Sequence, residues 1–277
     1  MNEHELAAST ANRSLTALTA LSRLLPPVRG SGSIALYGIR RLYRGKGRSV
    51  LPIWPGVRMA VDPSDCLGGL LAFVPHLYDA SERKAIASVL RPGDLFVDVG
   101  SNIGAYALWA ARSVGPSGRV LAIEPDQENH SLLLENIRLN GFEDRVHVVR
   151  CGVSDQRQVL RLHRNVRGNC GGHNFLGVGM EGPDVPCLPL DEVLNVAAMG
   201  NIRMMKLDIE GFETRVLQCY FGRVFAAERP DYLLVEIKGG PLGAEDKQAL
   251  RQLILCHGYR IVQEGANALF RREDASD

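Results

Sequence analysis

The 277-residue sequence predicts an α/β fold, a mostly parallel sheet covered by helices on both faces, and three observations predict it. Short apolar runs alternate with stretches of helical periodicity from about residue 80 to the C-terminus. That alternation is what successive strand–helix–strand units produce. The apolar runs are continuous, as expected of strands buried on both faces. Composition agrees: 45% hydrophobic and 23% charged residues are enough to build and solubilise a core, which excludes disordered, collagen-like and coiled-coil chains. No uncharged apolar run approaches the ~18 residues of a membrane span.

The elements follow in order. Leu15, Leu18, Leu21, Leu24 and Leu25 fall at helical spacing and predict an amphipathic helix. Glu3 and Glu5 precede it and Arg23 interrupts it, which argues against a secretion signal. Pro26 to Gly32 breaks this helix, and Ile34 to Tyr43 forms a second. Pro52, Pro55 and Gly56 mark a turn before a short strand around Val57–Val61. Ser81–Leu90 is a helix with Ser81 as its cap, ended by Arg91-Pro-Gly93. Asp94–Gly100 is a buried strand running into a glycine turn, Ile103–Ser113 a helix, and Arg119–Glu124 the next strand. Glu128–Asn140 is a helix stopped by Gly141, and Val146–Arg150 is a strand. Asn165 to Val185 holds six glycines in 21 residues and reads as a long flexible loop, the kind that often serves as a lid. Ile202–Leu207 is a strand entering a turn at Gly211 and a helix to about Tyr220. Tyr232–Ile237 is a strand and Ala244–His257 a helix. Tyr259–Gln263 and Ala268–Arg272 form a closing antiparallel hairpin. The expected division is a basic helical extension, residues 1–56, and one α/β domain, residues 57–277.

Charge is unevenly spread. Leu6 to Val61 contains nine Arg or Lys and no acid, whereas Asp62 onward holds 23 bases against 29 acids. Such an arm suits an anionic lipid, a nucleic acid, a phosphorylated substrate or the acidic body of a second subunit, unless it is simply a solvated helix face. A homodimer in which each arm lies on its neighbour is one expectation. The six cysteines, Cys66, Cys151, Cys170, Cys187, Cys219 and Cys256, are scattered without a C-x-x-C pair. They read as reduced thiols of a cytoplasmic protein, not as a disulfide frame or a zinc site.

Ligands of open α/β sheets bind beyond the carboxyl ends of the strands. The first strand of the alternation ends Asp98-Val-Gly-Ser-Asn-Ile-Gly104, and the next ends in Glu124, a carboxylate suited to the two hydroxyls of a ribose. A dinucleotide loop reads G-x-G-x-x-G, whereas this one reads Gly100-x-x-x-Gly104 and begins with an acid. Asp98 would repel a pyrophosphate but favour the ammonium and sulfonium of S-adenosyl-L-methionine. Asp98, Gly100, Ser101, Asn102, Gly104 and Glu124 are therefore the candidate cofactor residues of a Rossmann-like domain.

At this point the sequence resembles the FkbM-type SAM-dependent methyltransferases. The matching stretches are Asp98 to Gly104, Glu124-Pro125, Val153-Ser-Asp155, Pro189-Leu-Asp191 and Lys206-Leu-Asp-Ile-Glu-Gly-Phe-Glu213, spread over about residues 90 to 260. The resemblance implies a class I methyltransferase fold and O-methylation of a small molecule or glycan. It also adds Pro125, Ser154 and Asp155 to the cofactor site, with Asp155 reaching the adenine amino group.

Methyl transfer needs alignment, and a hydroxyl acceptor also needs a base or a metal. Lys206, Asp208 and Glu210 share one side of a strand end by the period of two. Asp208 is the favoured catalytic carboxylate, with Lys206, Glu210 and Glu213 in support and Glu236 completing an acidic cluster. Asp208 and Glu236 would be the ligands of any divalent metal. The plainer alternative is that Lys206 pairs with one acid and Glu213 caps the next helix. His173, in the glycine-rich stretch, is a candidate general base. The block is not Asn/Asp-Pro-Pro-Tyr, which disfavours amino methylation of DNA. Two further readings stay open: an RNA methyltransferase using the basic arm, and an NAD-linked oxidoreductase. A non-catalytic scaffold of the same fold is a third.

Overall fold

The computed structural model describes residues 47–164, 172–196, 200–237 and 243–275, together with Thr19 and Ser22. The two N-terminal helices expected before residue 44 lie otherwise outside the described residues, and so does the densest part of the basic arm. The described chain falls into two compact units that meet between Ala80 and Ser81.

In the first unit, β1 (Ser49–Trp54) and β2 (Val57–Val61) form an antiparallel hairpin, followed by α1 (Cys66–Phe73). The sequence reading missed β1 because of Pro52, which a two-stranded sheet tolerates since each strand has a free edge. It missed α1 because Gly68 and Gly69 lower helix propensity. Gly68 is nonetheless required there, because a Cβ would lie 2.0 Å from the Asp62 carbonyl oxygen. Asp65 caps α1 by accepting the N–H groups of Leu67 and Gly68. Trp54 Nε1 donates to the Pro75 carbonyl at 2.9 Å. The Ser22 hydroxyl donates to the Phe73 carbonyl, so helical Thr19 and Ser22 belong to this unit.

The second unit opens with α2 (Ala80–Val89) and then alternates: β3 (Leu95–Val99), α3 (Ala105–Val114), β4 (Arg119–Ile123), α4 (Gln127–Asn140) and β5 (Val146–Val149). After an insertion of β6 (Gly152–Ser154), β7 (Gln158–Arg164), β8 (Met180–Pro189) and α5 (Leu190–Val196), the alternation resumes. It runs through β9 (Met204–Leu207), α6 (Glu213–Arg223), β10 (Tyr232–Glu236) and α7 (Ala244–Cys256) to β11 (Tyr259–Gln263) and β12 (Asn267–Arg272). The seven-stranded sheet has the order β11-β12-β10-β9-β3-β4-β5. Five strands are parallel, and β12 runs antiparallel to both β10 and β11, as the closing hairpin predicted. Every residue of β3 and β9 is buried, which is why these strands read as unbroken apolar runs. The core packs Val97, Val99, Leu121, Ile123, Met205 and Leu207 of the sheet against Phe212, Val216 and Leu217 at the start of α6.

Strand order reverses between β3 and β9: β4 and β5 lie to one side of β3, and β9 and β10 lie to the other. That switch opens a crevice at the carboxyl ends of these two strands. Register places Asp98 directly beside Lys206 there.

The glycine-rich stretch is not loop to its end. Its last six residues, Met180 to Val185, belong to β8, which pairs antiparallel with β7 in a separate sheet of order β6-β8-β7. Asn174 also pairs with His163. A Cβ on Gly179 (φ +123°) would meet the Arg164 carbonyl oxygen at 2.4 Å, and one on Gly182 the Leu162 carbonyl at 2.6 Å. These glycines permit close strand approach, which sequence pattern does not distinguish from flexibility. Residues 165–171 lie outside the described residues.

Candidate active site

The loop between β3 and α3 is shaped by backbone that side chains disfavour. Gly100 (φ +83°), Asn102 (φ +50°) and Gly104 (φ +96°) are all left-handed. A Cβ on Gly100 would sit 2.0 Å from the Asp208 carbonyl oxygen, so glycine lets this loop lie directly against the end of β9. The N–H groups of Gly100 and Ser101 both donate to the Ile123 carbonyl at 3.0 Å. The Ser101 hydroxyl donates to the Asp98 carbonyl and accepts from the Ile123 N–H. The loop is thus stitched to the end of β4.

Glu124 faces it. Its Oε2 accepts the Asn102 N–H at 2.8 Å, and its Oε1 accepts the Asp126 N–H at 2.9 Å. Burial pushes its carboxyl up to about 7, against the two N–H donors that favour the charged form. The Asn129 side chain is a third hydrogen-bond partner of this carboxylate. Asp98 is fully buried, and neither carboxylate oxygen has a hydrogen-bond partner among the described residues. Burial raises its pKa, the Lys206 ammonium 3.8 Å away opposes the rise, and Asp208 adds to it. A buried, unsatisfied carboxylate beside a glycine cradle, facing a diol-binding acid, fits the ammonium, sulfonium and ribose of S-adenosylmethionine.

Six of the sequence-selected cofactor residues, Asp98, Gly100, Ser101, Asn102, Gly104 and Glu124, therefore converge. Pro125 begins the turn into α4. Ser154 and Asp155 have other partners: the Ser154 hydroxyl donates to Asp155 Oδ1, and Arg215 Nε of α6 donates to Asp155 Oδ2 at 2.9 Å. Despite some desolvation, Arg215 and Ser154 hold the Asp155 carboxyl below its usual range.

One strand away stands the acidic group. Lys206 is 2% exposed, its Nζ 3.1 Å from Asp208 Oδ2 and 4.4 Å from the centre of the Tyr106 ring. Glu213 accepts the N–H groups of Ile209 and Gly211. Of the plainer alternative, the pairing of Lys206 with an acid is present, whereas Glu213 ties down the turn before α6 and makes no helix cap, the N-cap residue being Phe212. Glu210 differs. It holds a left-handed backbone (φ +51°), and its carboxylate makes no hydrogen bond or ion pair among the described residues. Burial, then the charges of Asp208, Glu236 and Glu213, push it up to about 8. Glu236 at the end of β10 is pushed up to about 7, first by burial and then by Asp208 and Glu213. Among the described residues no three His, Cys, Asp or Glu side chains are arranged to hold a metal ion. Asp208 Oδ2 is paired with Lys206.

His173 lies elsewhere. Its charged neighbour is Asp126, at the carboxyl end of β4, with Nδ1 3.9 Å from Oδ2. The structure does not group it with Lys206 and Asp208. Sequence reading missed Tyr106, which flanks Lys206, and both Asp126, which caps α4, and Arg164, which binds it; Arg164 preceded a stretch read as loop.

The model of the methyltransferase FkbM domain family matches residues 98–261. The chain is 26% identical over 226 residues to the AMB antimetabolite synthetase AmbE of Pseudomonas aeruginosa, covering 68% of this chain and 10% of that protein. It is 25% identical over 103 residues to the ribosomal RNA large subunit methyltransferase E of Wigglesworthia glossinidia brevipalpis, covering 30% of this chain and 51% of that one. The chain thus spans a tenth and about half of these two curated relatives. Among solved structures it is similar to the methyltransferase FkbM from Methylobacillus flagellatus KT, with 19% identity, a TM-score of 0.46, and coverage of 74% of this chain and 54% of that chain.

Proposed function

We propose, from the premise that this chain belongs to the methyltransferase FkbM family, that it methylates an oxygen, a hydroxyl or carboxylate, of a small molecule or sugar. The observation that carries the reading is the unsatisfied Asp98 facing the cofactor crevice one strand from the Asp208–Glu210–Glu236 group. When bound, S-adenosylmethionine supplies an electrophilic methyl group on a sulfonium. Asp98 offsets the positive charge of that ligand, Glu124 accepts hydrogen bonds from the ribose hydroxyls, and Gly100 holds the loop against the end of β9. Lys206 spans the two halves, its ammonium lying between Asp98 and Asp208. Asp208, fixed by Lys206 yet a third exposed, accepts a hydrogen bond from the acceptor hydroxyl and orients it. Glu210 receives the proton at its carboxylate, being a carboxyl whose proton affinity is raised toward the working pH.

Incubation with methyl-labelled S-adenosylmethionine and a panel of hydroxylated and carboxylated metabolites tests this. Label in an oxygen-methylated product supports it, and transfer to nitrogen or carbon contradicts it. One feature favours RNA as a second reading: the nine acid-free positive charges from Leu6 to Val61. Label in an RNA arm of the same assay would select that reading. The same arm supports a homodimer in which it lies on the acidic body of a second copy, and light scattering that finds a monomer removes this part.

A further inference from the structure

We propose that Arg164 is a positioning residue for the cofactor site, acting through Asp126 to fix the main-chain N–H that orients Glu124. The inference rests on reading Glu124 as the ribose-binding acid. Arg164 ends β7, in the small sheet that is inserted between β5 and β9. Its Nε and Nη2 both reach Asp126 Oδ2, at 3.0 and 2.7 Å, and its Nη1 reaches Glu128 Oε1 at 2.9 Å. Asp126 Oδ1 meanwhile accepts the Glu128 and Asn129 N–H groups at the start of α4. The Asp126 side chain is 0% exposed, and both its oxygens are occupied.

A helix cap alone needs none of this. An uncharged Ser or a solvated Asp caps as well, whereas burying this carboxylate requires a partner of opposite charge. The guanidinium fork supplies it and sets direction as well as charge. What is fixed in consequence is the Asp126 main chain, whose N–H points at Glu124 Oε1 from 2.9 Å. Hairpin, helix cap and ribose acid form one chain of contacts.

The charges act in the same direction. The Asp126 carboxylate opposes ionisation of Glu124, while the Asp126 N–H assists it. Without Arg164 the first effect is unmasked and the second is loosened, so Glu124 becomes harder to ionise. The groups facing Glu124 are the Asn102 N–H from the glycine loop, and Asp126 and Asn129 from α4. Behind Asp126 stand Arg164 of β7, Glu128 of α4 and His173 of the hairpin.

The test is S-adenosylmethionine affinity by calorimetry from about pH 5.5 to about pH 8.5, for the wild type, Arg164→Gln, Arg164→Lys and His173→Gln. Since the charged carboxylate is the better acceptor of two hydroxyls, wild-type affinity falls as pH drops through about 7. In Arg164→Gln the midpoint moves up by about half to one pH unit, with affinity at neutral pH ~3–10-fold weaker. Arg164→Lys moves it by less, because the charge remains and the fork is lost. In His173→Gln the midpoint stays. Should Arg164→Gln fail to fold, the upward displacement in Arg164→Lys carries the test. A uniform loss at all pH values, or no change, in the Arg164 variants overturns the proposal, since a merely structural role lowers affinity without moving the midpoint. Loss of the pH dependence in His173→Gln overturns it too. A wild type that binds no S-adenosylmethionine overturns the cofactor reading itself, so the two failures are told apart.

Discussion

In the proposed function two carboxylates, Glu124 and Asp208, divide the chemistry between them, and single substitutions separate their roles. Glu124→Ala removes an acceptor for two hydroxyls, each charge-assisted bond being worth ~1.5–3 kcal/mol before compensation. S-adenosylmethionine binding weakens at least ~tenfold by that arithmetic, while the far-ultraviolet circular dichroism stays unchanged. Asp208→Asn keeps the shape and the Lys206 contact but weakens both the pairing and the orientation of the acceptor. Turnover falls by about 10²–10⁴ while cofactor affinity holds, as single-turnover assays and calorimetry would record. As the proposed base, Glu210 sets the expected pH dependence: with its carboxyl pushed up to about 8 it works only when deprotonated, so the rate should rise with pH and level above about 8. Glu210→Gln abolishes that limb of the profile.

The elements show how far sequence reading reaches. The strands β3, β4 and β9 were legible because burial leaves unbroken apolar runs, and an acid (Asp98, Glu124 or Asp208) stands at or just past the end of each. Most of the candidate cofactor residues were found together for a related reason: they are local to two strand ends. What was not legible depends on pairing at a distance. Val159, 65% exposed, together with Gly182, Pro183 and Pro186 of β8, gives no clean alternation, so Met180–Val185 read as loop. Whether Lys206 would turn to Asp208 or Asp98, and whether His173 would reach the acceptor group, depended on packing that spacing does not encode. Gly179 now carries a specific expectation. Ala there adds a Cβ 2.4 Å from the Arg164 carbonyl at a φ of +123°. Strain of ~1–3 kcal/mol should lower the melting temperature and, by displacing Arg164, weaken cofactor binding. Normal affinity in a destabilised Gly179→Ala would show that hairpin and cofactor site are independent.

At the scale of the whole molecule, the acidic group opposes stability. Glu210 and Glu236 are raised above the ordinary carboxyl value of 4.5, to about 8 and about 7. The folded protein therefore holds protons that the unfolded chain releases, and stability declines as pH rises from about 4.5 through about 8. Glu210→Gln lifts part of that penalty. Its melting temperature should exceed that of the wild type at pH 8–9, by on the order of a few degrees, and match it near pH 4. A variant that is more stable yet slower is the expected sign of a site held charged for function.

The central claim is that the crevice between β3 and β9 binds S-adenosylmethionine through Asp98 and Glu124, with Asp208 on the acceptor side. Calorimetric titration of S-adenosylmethionine into wild type, Glu124→Ala and Asp208→Asn tests it most directly. One equivalent should bind the wild type and Asp208→Asn with the same affinity, and Glu124→Ala much more weakly. No binding to the wild type, or equal binding to wild type and Glu124→Ala, contradicts the claim.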